Sequence, residues 1–197
     1  MIPNLTFRIF FSIFAIFFLV QRYVEAKYHK RLQGKKQATW LTKSLIAAHF
    51  LFFFGSLIEV YGIMRNTFNF SLSILGFVLF FMAFFLRQWV IRTLGPFWSI
   101  EIEMRDQHKL ITTGPFQFCR HPNYLAIILE VIGFCLVANA FVTLIISLLI
   151  YIPLLLVRIK LEEKELIRMF GSIYKVYMNK TPAILPFLKR DINASFR

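Results

Sequence analysis

The chain is poor in the residues from which disulfide frameworks and transition-metal sites are built. It has 2 Cys and 4 His among 197 residues, and these do not cluster. Both cysteines, Cys119 and Cys135, stand in apolar surroundings. Zinc sites and disulfide-rich domains need several Cys or His at close spacing. We therefore expect neither a metal site nor a disulfide framework.

Glycine-rich nucleotide-binding turns are also missing. Many soluble enzymes hold a nucleotide-like cofactor at a Gly-rich turn between a strand and a helix. This sequence has no GxGxxG pattern and no Walker motif, and it has no room for alternating strands and helices. Any cofactor site in this chain must therefore be built from helices and loops.

Apolar and basic residues are abundant instead. The chain is 58% hydrophobic and contains 25 Phe, whereas an average soluble domain is roughly 45–50% apolar. Its 23 Lys and Arg outnumber its 10 Asp and Glu, and the basic residues stand in the gaps between apolar runs. That distribution is typical of loops that set membrane topology. We expect an integral membrane protein with no nucleic-acid partner.

Five apolar segments divide the sequence. Residues 5–23, 41–64 and 70–91 are each close to the roughly 20 residues that cross a bilayer as a helix. Residues 124–137 and 140–159 predict two shorter helices folded into a hairpin. The predicted fold class is all-α: a polytopic integral membrane protein with about five transmembrane helices and a cytoplasmic C-terminal region of helix and loop.

Loop charges predict the orientation. The first loop is basic, whereas the second holds only Arg65. The basic residues in and beside the first loop are Lys27, Lys30, Arg31, Lys35, Lys36 and Lys43. That loop is expected in the cytoplasm, as are residues 92–120 and the tail 160–197, with the N-terminus outside. The N-terminal run lacks a small-residue cleavage site, so we expect a retained span. Residues 162–170 predict a separate polar helix that stops at Gly171.

A polar stretch before the fourth span combines a turn, a helix start and hydrogen-bonding side chains. Gly114-Pro115 predicts the turn, and Pro122 suits the first turn of a helix. The positive end of that helix favours the carboxylate of an amino-acid-like cofactor, with His121 and Tyr124 beside it. Alternatively, Arg120 and His121 anchor the protein at the interface and Tyr124 belongs to an aromatic belt.

Arg158 and Glu162 stand four residues apart at the cytoplasmic end of the last span, so they share one helix face. The guanidinium suits a carboxylate, and Glu162 suits a cation such as an ammonium group. Glu163 lies roughly 100° around the helix and is the weaker candidate. Alternatively, Arg158 snorkels to the headgroups and pairs with Glu162.

Glu130 lies inside the fourth span, where a carboxylate needs a partner or a function. We expect a structural pairing with Arg87, Gln88 or His49 on a neighbouring helix. Glu59 lies toward the outer end of the second span, so we assign it no catalytic role.

The second half of the chain, from Leu94-Gly95 onward, resembles the isoprenylcysteine carboxyl methyltransferase family and the related phospholipid methyltransferases. The matching residues are 108–116, 120–124, Arg158, Glu162, Glu163, Phe170, Gly171, Tyr174, Tyr177 and 182–186. We accordingly divide the chain into an N-terminal three-helix membrane region, residues 1–93, and a membrane-embedded methyltransferase region, residues 94–197.

The resemblance implies S-adenosylmethionine as cofactor and a lipid-like methyl acceptor that enters sideways from the bilayer. It implies Arg158, Glu162 and Tyr124 as catalytic residues, with Arg158 orienting the acceptor. The implied cofactor contacts are Glu101, His108, Lys109, Leu110, Ile111, Phe116, His121, Pro122, Asn123, Tyr124 and Glu162. Phe116 stands where the family usually has Tyr, and this replacement removes one hydroxyl contact.

The activity that the resemblance implies is O-methylation of an isoprenylcysteine-type carboxylate, which needs no base. Gln21-Arg22, Glu25 and residues 57–60 further resemble a bacterial branch whose members accompany polyketide synthases. A long-chain resorcinol or pyrone is therefore an alternative acceptor, and its phenol would need deprotonation by Glu162 or Tyr124. Phospholipid N-methylation, an NADPH-dependent reductase of the sterol-reductase type and a non-enzymatic scaffold are further alternatives. The expected location is a bacterial inner membrane.

Overall fold

A computed structural model gives the fold and describes residues 4–28, 35–63, 69–99, 102–104 and 109–185. The α-helices in these ranges are α1 (Asn4–Tyr28), α2 (Thr39–Ile58), α3 (Phe70–Leu94), α4 (Pro122–Ala138), α5 (Phe141–Phe170) and α6 (Ser172–Lys180). A π-helical turn, Glu59–Ile63, extends α2. Gly95–Phe97 and Gly114–Gln117 form 3-10 turns.

Two three-residue strands join the two long polar loops. They are β1 (Lys35–Gln37) and β2 (Ile102–Met104). The strands are antiparallel, with Lys35 opposite Met104 and Gln37 opposite Ile102. The pairing brings the connection between α1 and α2 to the segment that follows α3.

The all-α, membrane-spanning fold class is confirmed. Among the described residues, four helical segments are long and apolar enough to cross a membrane: Leu5–Glu25, Thr39–Gly62, Phe70–Phe97 and Phe141–Phe170. The fourth predicted span, residues 124–137, corresponds to α4, an apolar helix of 17 residues. That length is at the lower end of the range that crosses a bilayer.

Small residues let α3 and α4 approach closely. A Cβ atom added at Gly76 would lie 2.5 Å from the backbone nitrogen of Val137, and one at Gly133 would lie 2.6 Å from that of Phe80. The hydroxyl of Ser73 donates to the carbonyl of Val137 across the same contact, at 3.1 Å. Lipid gives no hydrophobic drive to pair two apolar helices, so close backbone packing is how such helices hold together.

Phenylalanine side chains fill the space between the helices. Phe134 of α4 is fully buried, and its ring centroid lies 5.1 Å from that of Phe18 in α1 and 5.5 Å from that of Phe52 in α2. Phe14 of α1 packs edge-on against Phe80 of α3 at 4.7 Å. These rings fix α1 and α2 against the α3–α4 pair, with centroid distances usual for aromatic pairs.

The turn between α4 and α5 is capped from another helix. Asn139 ends α4 in the left-handed region, at φ 53°. The carboxylate of Glu59 accepts from the backbone nitrogens of Val142 and Thr143 at 3.2 and 3.0 Å, and from the Thr143 hydroxyl at 2.8 Å. A carboxylate at a helix N-terminus satisfies free N–H groups and stabilises the positive dipole end. The contacts of Glu59 are thus those of a helix cap.

The prediction of a separate polar helix beginning at Glu162 is wrong. Residue 162 lies within α5, which runs without a break to Phe170. The sequence between the apolar and polar parts contains Lys and Glu, which favour helix, and no glycine or proline that would stop one. The predicted end is confirmed, because Gly171 follows at φ 56°. Residues 182–183 then return to accept hydrogen bonds from the backbone nitrogens of Arg120 and His121, each at 2.9 Å.

Candidate active site

The hydroxyl of Tyr124 joins the two residues that the sequence places on one face of α5. It accepts a hydrogen bond from Nε of Arg158 at 2.9 Å and donates one to Oε2 of Glu162. Nη1 of Arg158 donates to the hydroxyl of Thr42, at 3.1 Å, from the first turn of α2. Three helices therefore converge here, and Tyr124 stands between a cation and an anion.

Arg158 is a buried residue of this site. Its relative exposure is 6%, and its guanidinium carbon lies 5.8 Å from the centre of the Tyr124 ring. A snorkelling arginine would keep its head in water, so the structure does not support the alternative in which Arg158 only anchors the helix end.

Glu163 belongs to a neighbouring ion-pair cluster. Its Oε1 accepts from Nε and Nη2 of Arg120 at 2.9 and 2.7 Å, and lies 3.0 Å from Nε2 of His121. Arg120 also donates to the carbonyls of Met178 and Thr181, at the end of α6. The cluster ties the start of α4, the end of α5 and the tail together. Glu162 faces Tyr124 instead, which distinguishes the two adjacent carboxylates.

The first turn of α4 carries the predicted cofactor contacts. As predicted, Pro122 begins the helix. The His121 ring stacks on the Tyr124 ring, with centroids 5.3 Å apart and planes 11° apart. Oδ1 of Asn123 is buried and has no hydrogen-bond partner in the described part of the chain. A buried oxygen that accepts no hydrogen bond costs free energy. Asn123 therefore marks a place where a hydrogen-bond donor of a ligand fits.

The other predicted cofactor residues lie on the segment before α4. The predicted turn is confirmed, since Gly114 opens a 3-10 turn at φ 62°. Within that turn, the carbonyl of Phe116 accepts a hydrogen bond from the Tyr177 hydroxyl of α6. Lys109 is exposed, and Leu110 and Ile111 are half-buried. Two predicted contacts, Glu101 and His108, lie outside the described residues.

Titrating groups beside the site keep their protons at neutral pH. Burial raises the pKa of the Cys119 thiol to about 11. Burial likewise raises the pKa values of the Tyr174 and Tyr177 hydroxyls in α6 above the usual range. None of these three groups is suited to act as a base.

A cavity of about 410 Å³ leads from Tyr124 and Arg158 into the membrane region. Its wall is mostly apolar, formed by side chains such as Phe18, Leu45 and Ile127. Volumes of 300–1,000 Å³ are usual for small-ligand sites. The cavity is lined by residues of both predicted regions, so an occupant would contact both halves of the chain.

Four charged residues form a ring beside this cavity, and three of them, Arg22, Glu25 and Arg87, line its wall. Arg87 of α3 donates to Glu25 of α1 at 3.3 Å and to Glu130 of α4 at 3.2 Å. Arg22 of α1 donates to Glu25 at 2.9 Å and also to Glu130. The predicted structural pairing of Glu130 is confirmed for Arg87, one of the three partners expected, whereas the contact with Arg22 was not predicted. Each cation contacts both anions, which offsets the cost of burying charge.

Sequence reasoning missed Thr42 and the roles of Arg22 and Glu25. Thr42 carries no signal in the sequence, because a threonine in a helical span is ordinary. An ionisable residue within a span is a signal, since such residues face the protein interior or a water-filled cavity. That rule, applied to Glu130, also applies to Arg22 and Glu25 near the end of α1.

The family model for the isoprenylcysteine carboxyl methyltransferase (ICMT) family matches residues 74–168. An uncharacterized protein of Haemophilus influenzae is 35% identical over 138 residues, covering 70% of this chain and 77% of that protein. The protein-S-isoprenylcysteine O-methyltransferase of Saccharomyces cerevisiae is 28% identical over 192 residues, covering 92% of this chain and 80% of the yeast protein. The uncharacterized protein YpbQ of Bacillus subtilis is 31% identical over 122 residues, covering 62% of this chain and 71% of the Bacillus protein. The segment that matches the family model contains Tyr124, Arg158 and Glu162. The chain belongs to the isoprenylcysteine carboxyl methyltransferase family.

Proposed function

We propose that this protein is an S-adenosylmethionine-dependent methyltransferase that O-methylates the carboxylate of an isoprenylcysteine-type lipid at the cytoplasmic face of the membrane. One observation carries the proposal: Tyr124 links Arg158 to Glu162 at a polar end of a mostly apolar cavity. A methyl acceptor with a charged head and an apolar tail matches that division.

The residues around Tyr124 fit the proposed cofactor. Glu162 supplies a half-buried carboxylate that suits a cationic ligand group. Asn123 supplies a buried oxygen without a partner among the described residues, suited to an amino donor. When bound, S-adenosylmethionine supplies an electrophilic methyl group on a sulfonium centre. The side chains hold it by charge and hydrogen bonding, without a Gly-rich turn.

Arg158 is suited to the acceptor's head. Its guanidinium is a fixed fork of donors that matches a carboxylate, and Thr42 and Tyr124 hold its orientation. Because the site is buried, such a pairing is stronger than it would be in water. Positioning two reactants in this way can lower a barrier by up to about 7–11 kcal/mol.

The rim of the cavity supports sideways entry from lipid. Leu19 and Tyr23 of α1, together with Ile46 and Phe50 of α2, line the cavity and are also exposed on the outer surface. The opening therefore lies between α1 and α2. A lipid tail could pass between these helices without crossing the polar headgroup region.

A carboxylate acceptor is already ionised at neutral pH, so the reaction needs no proton removal. Tyr124 then keeps its proton and donates a hydrogen bond to Glu162. A phenol acceptor would require a base, which Tyr124 and Glu162 would have to provide together. The placement of the site at the cytoplasmic face rests on the basic first loop and the positive-inside rule, which also favour a cytoplasmic C-terminus.

The acceptor class is tested by supplying methyl-labelled S-adenosylmethionine and one acceptor at a time to the detergent-purified protein. An S-farnesyl-cysteine carboxylate should be methylated, whereas a long-chain resorcinol and a phosphatidylethanolamine should not. Arg158→Lys should lose turnover of the carboxylate because lysine lacks the planar fork. Glu165→Gln, on the same helix, should retain it. Methylation of only the phenol or only the amine would refute the carboxylate assignment.

A further inference from the structure

The cavity has a second polar point, at His49, far from the group that Arg158 is proposed to hold. Thr42 and His49 both belong to α2 and both line the cavity. They are seven residues, or two helical turns, apart, so roughly 10 Å of helix rise separates them. Between them the cavity wall is apolar, with Leu45 and Ile46 on the same helix.

One nitrogen of His49 is held by the protein, and His49 lines the cavity. Nδ1 lies 3.1 Å from the carbonyl of Leu45 and also bonds the Tyr151 hydroxyl. Nε2 has no hydrogen-bond partner in the described part of the chain, and it is accessible to solvent. Tyr151 is 1% exposed and is not part of the cavity wall. The Tyr151 side of the ring thus fixes its orientation, while Nε2 is left for an occupant.

The charges near His49 favour a neutral occupant group. Arg22, Glu25 and Arg87 also line the cavity, and with Glu130 they form a ring of two cations and two anions. An additional charged group there would be uncompensated in a low-dielectric interior and costly to bury. A hydroxyl can donate to or accept from an imidazole nitrogen, whichever tautomer is present.

We propose that His49 is a specificity-determining residue that hydrogen-bonds a hydroxyl on the acceptor's tail, roughly 10 Å from the group held at Arg158. A lipid whose chain carries a hydroxyl at this position is thus preferred, and an acceptor with a plain hydrocarbon chain binds the same cavity more weakly. The inference rests on the proposed function only in taking the cavity as the acceptor site.

Two substitutions separate this role from a structural one. The amide of Asn lies near the position of the imidazole Nδ1, so His49→Asn keeps a partner for Tyr151 and removes the group that faces the cavity. The amide of Gln reaches the position of Nε2, so His49→Gln keeps the cavity-facing group. A purely structural histidine predicts that the Asn variant resembles the wild type and the Gln variant does not.

The test is calorimetric titration of two probes into the detergent-purified protein without cofactor. The probes are N-acetyl-S-dodecyl-cysteine and the same compound with one chain hydroxyl roughly 10 Å from the carboxylate. The wild type and His49→Gln should bind the hydroxylated probe roughly 3–10-fold more tightly than the plain one, the gain expected of one hydrogen bond. His49→Asn should show no preference.

Equal binding of both probes by the wild type, or no binding of either to folded protein, would overturn the inference even if neither variant folds. A preference that survives in His49→Asn would also overturn it. The probes could bind with the expected preference and yet not be methylated when S-adenosylmethionine is added. That result would support the role of His49 and refute the proposed function.

Discussion

Removing the Tyr124 hydroxyl should impair the proposed site without unfolding the protein. Tyr124→Phe deletes the bond from Arg158 at 2.9 Å and the bond to Glu162 while keeping the ring that stacks on His121. Arg158 retains its bond to Thr42. Glu162 is 31% exposed, so water can replace its lost bond, and the net loss should be near that of the one remaining hydrogen bond to a charged group, about 1.5–3 kcal/mol. That corresponds to a fall in kcat/KM of roughly 10–150-fold.

The assay is transfer of labelled methyl from S-adenosylmethionine to S-farnesyl-cysteine, with thermal unfolding of each variant recorded beside it. Tyr61→Phe is the matched control, because it removes a hydroxyl that bonds the Arg8 carbonyl, far along the chain from the site. We expect the control to keep wild-type kcat/KM. If Tyr124→Phe also keeps it, the linkage between Arg158 and Glu162 is irrelevant to catalysis and the reasoning fails.

Three further predictions concern stability and reactivity. Gly133→Ala should lower the midpoint of thermal unfolding, because the added methyl group forces α3 and α4 apart at a cost of about 1–3 kcal/mol. In the control Gly62→Ala the added methyl group meets nothing within 4 Å, so the midpoint should not change. Equal midpoints for the two variants would contradict the close packing of α3 and α4. Glu130→Gln should destabilise by about 3–5 kcal/mol in denaturant titrations, because it leaves the buried Arg87 and the partly buried Arg22 with one anion. Unchanged stability would show that the ring is not electrostatically coupled. Cys119, with a pKa of about 11, should react with iodoacetamide at pH 8 at least about 100-fold more slowly than a free thiol, because only the thiolate attacks. Its rate should rise about tenfold per pH unit below that pKa, and a rate like that of free cysteine would refute the burial of this thiol.

Sequence patterns predicted the helices well because each depends on nearby residues. An apolar run of about 20 residues specifies a span regardless of its neighbours. Pro122 and Gly171 predicted a helix start and a helix end for equally local reasons. The error at Glu162 has the same origin: the change from apolar to polar residues marks where a helix leaves lipid, not where it ends.

Contacts between helices were harder to predict. That Thr42 would meet Arg158, or that Arg22 would meet Glu130, depends on how α1 and α2 are rotated against the α3–α4 pair. Hydropathy shows that a residue lies in a membrane span, but it does not show which neighbouring helix the side chain faces. The rotation is set by the close approach at Gly133 and by interlocking phenylalanine rings, whose partners no single-sequence pattern identifies.

The central claim, that the polar end of the cavity is a methyl-donor site, is tested most directly by calorimetric titration of S-adenosylmethionine into the detergent-purified protein, with NADPH titrated in parallel. Saturable binding of S-adenosylmethionine, weakened at least tenfold in Glu162→Gln and unchanged in Glu165→Gln, with no binding of NADPH, is the predicted result. Binding of NADPH alone, or of neither compound to protein that unfolds cooperatively, would contradict it.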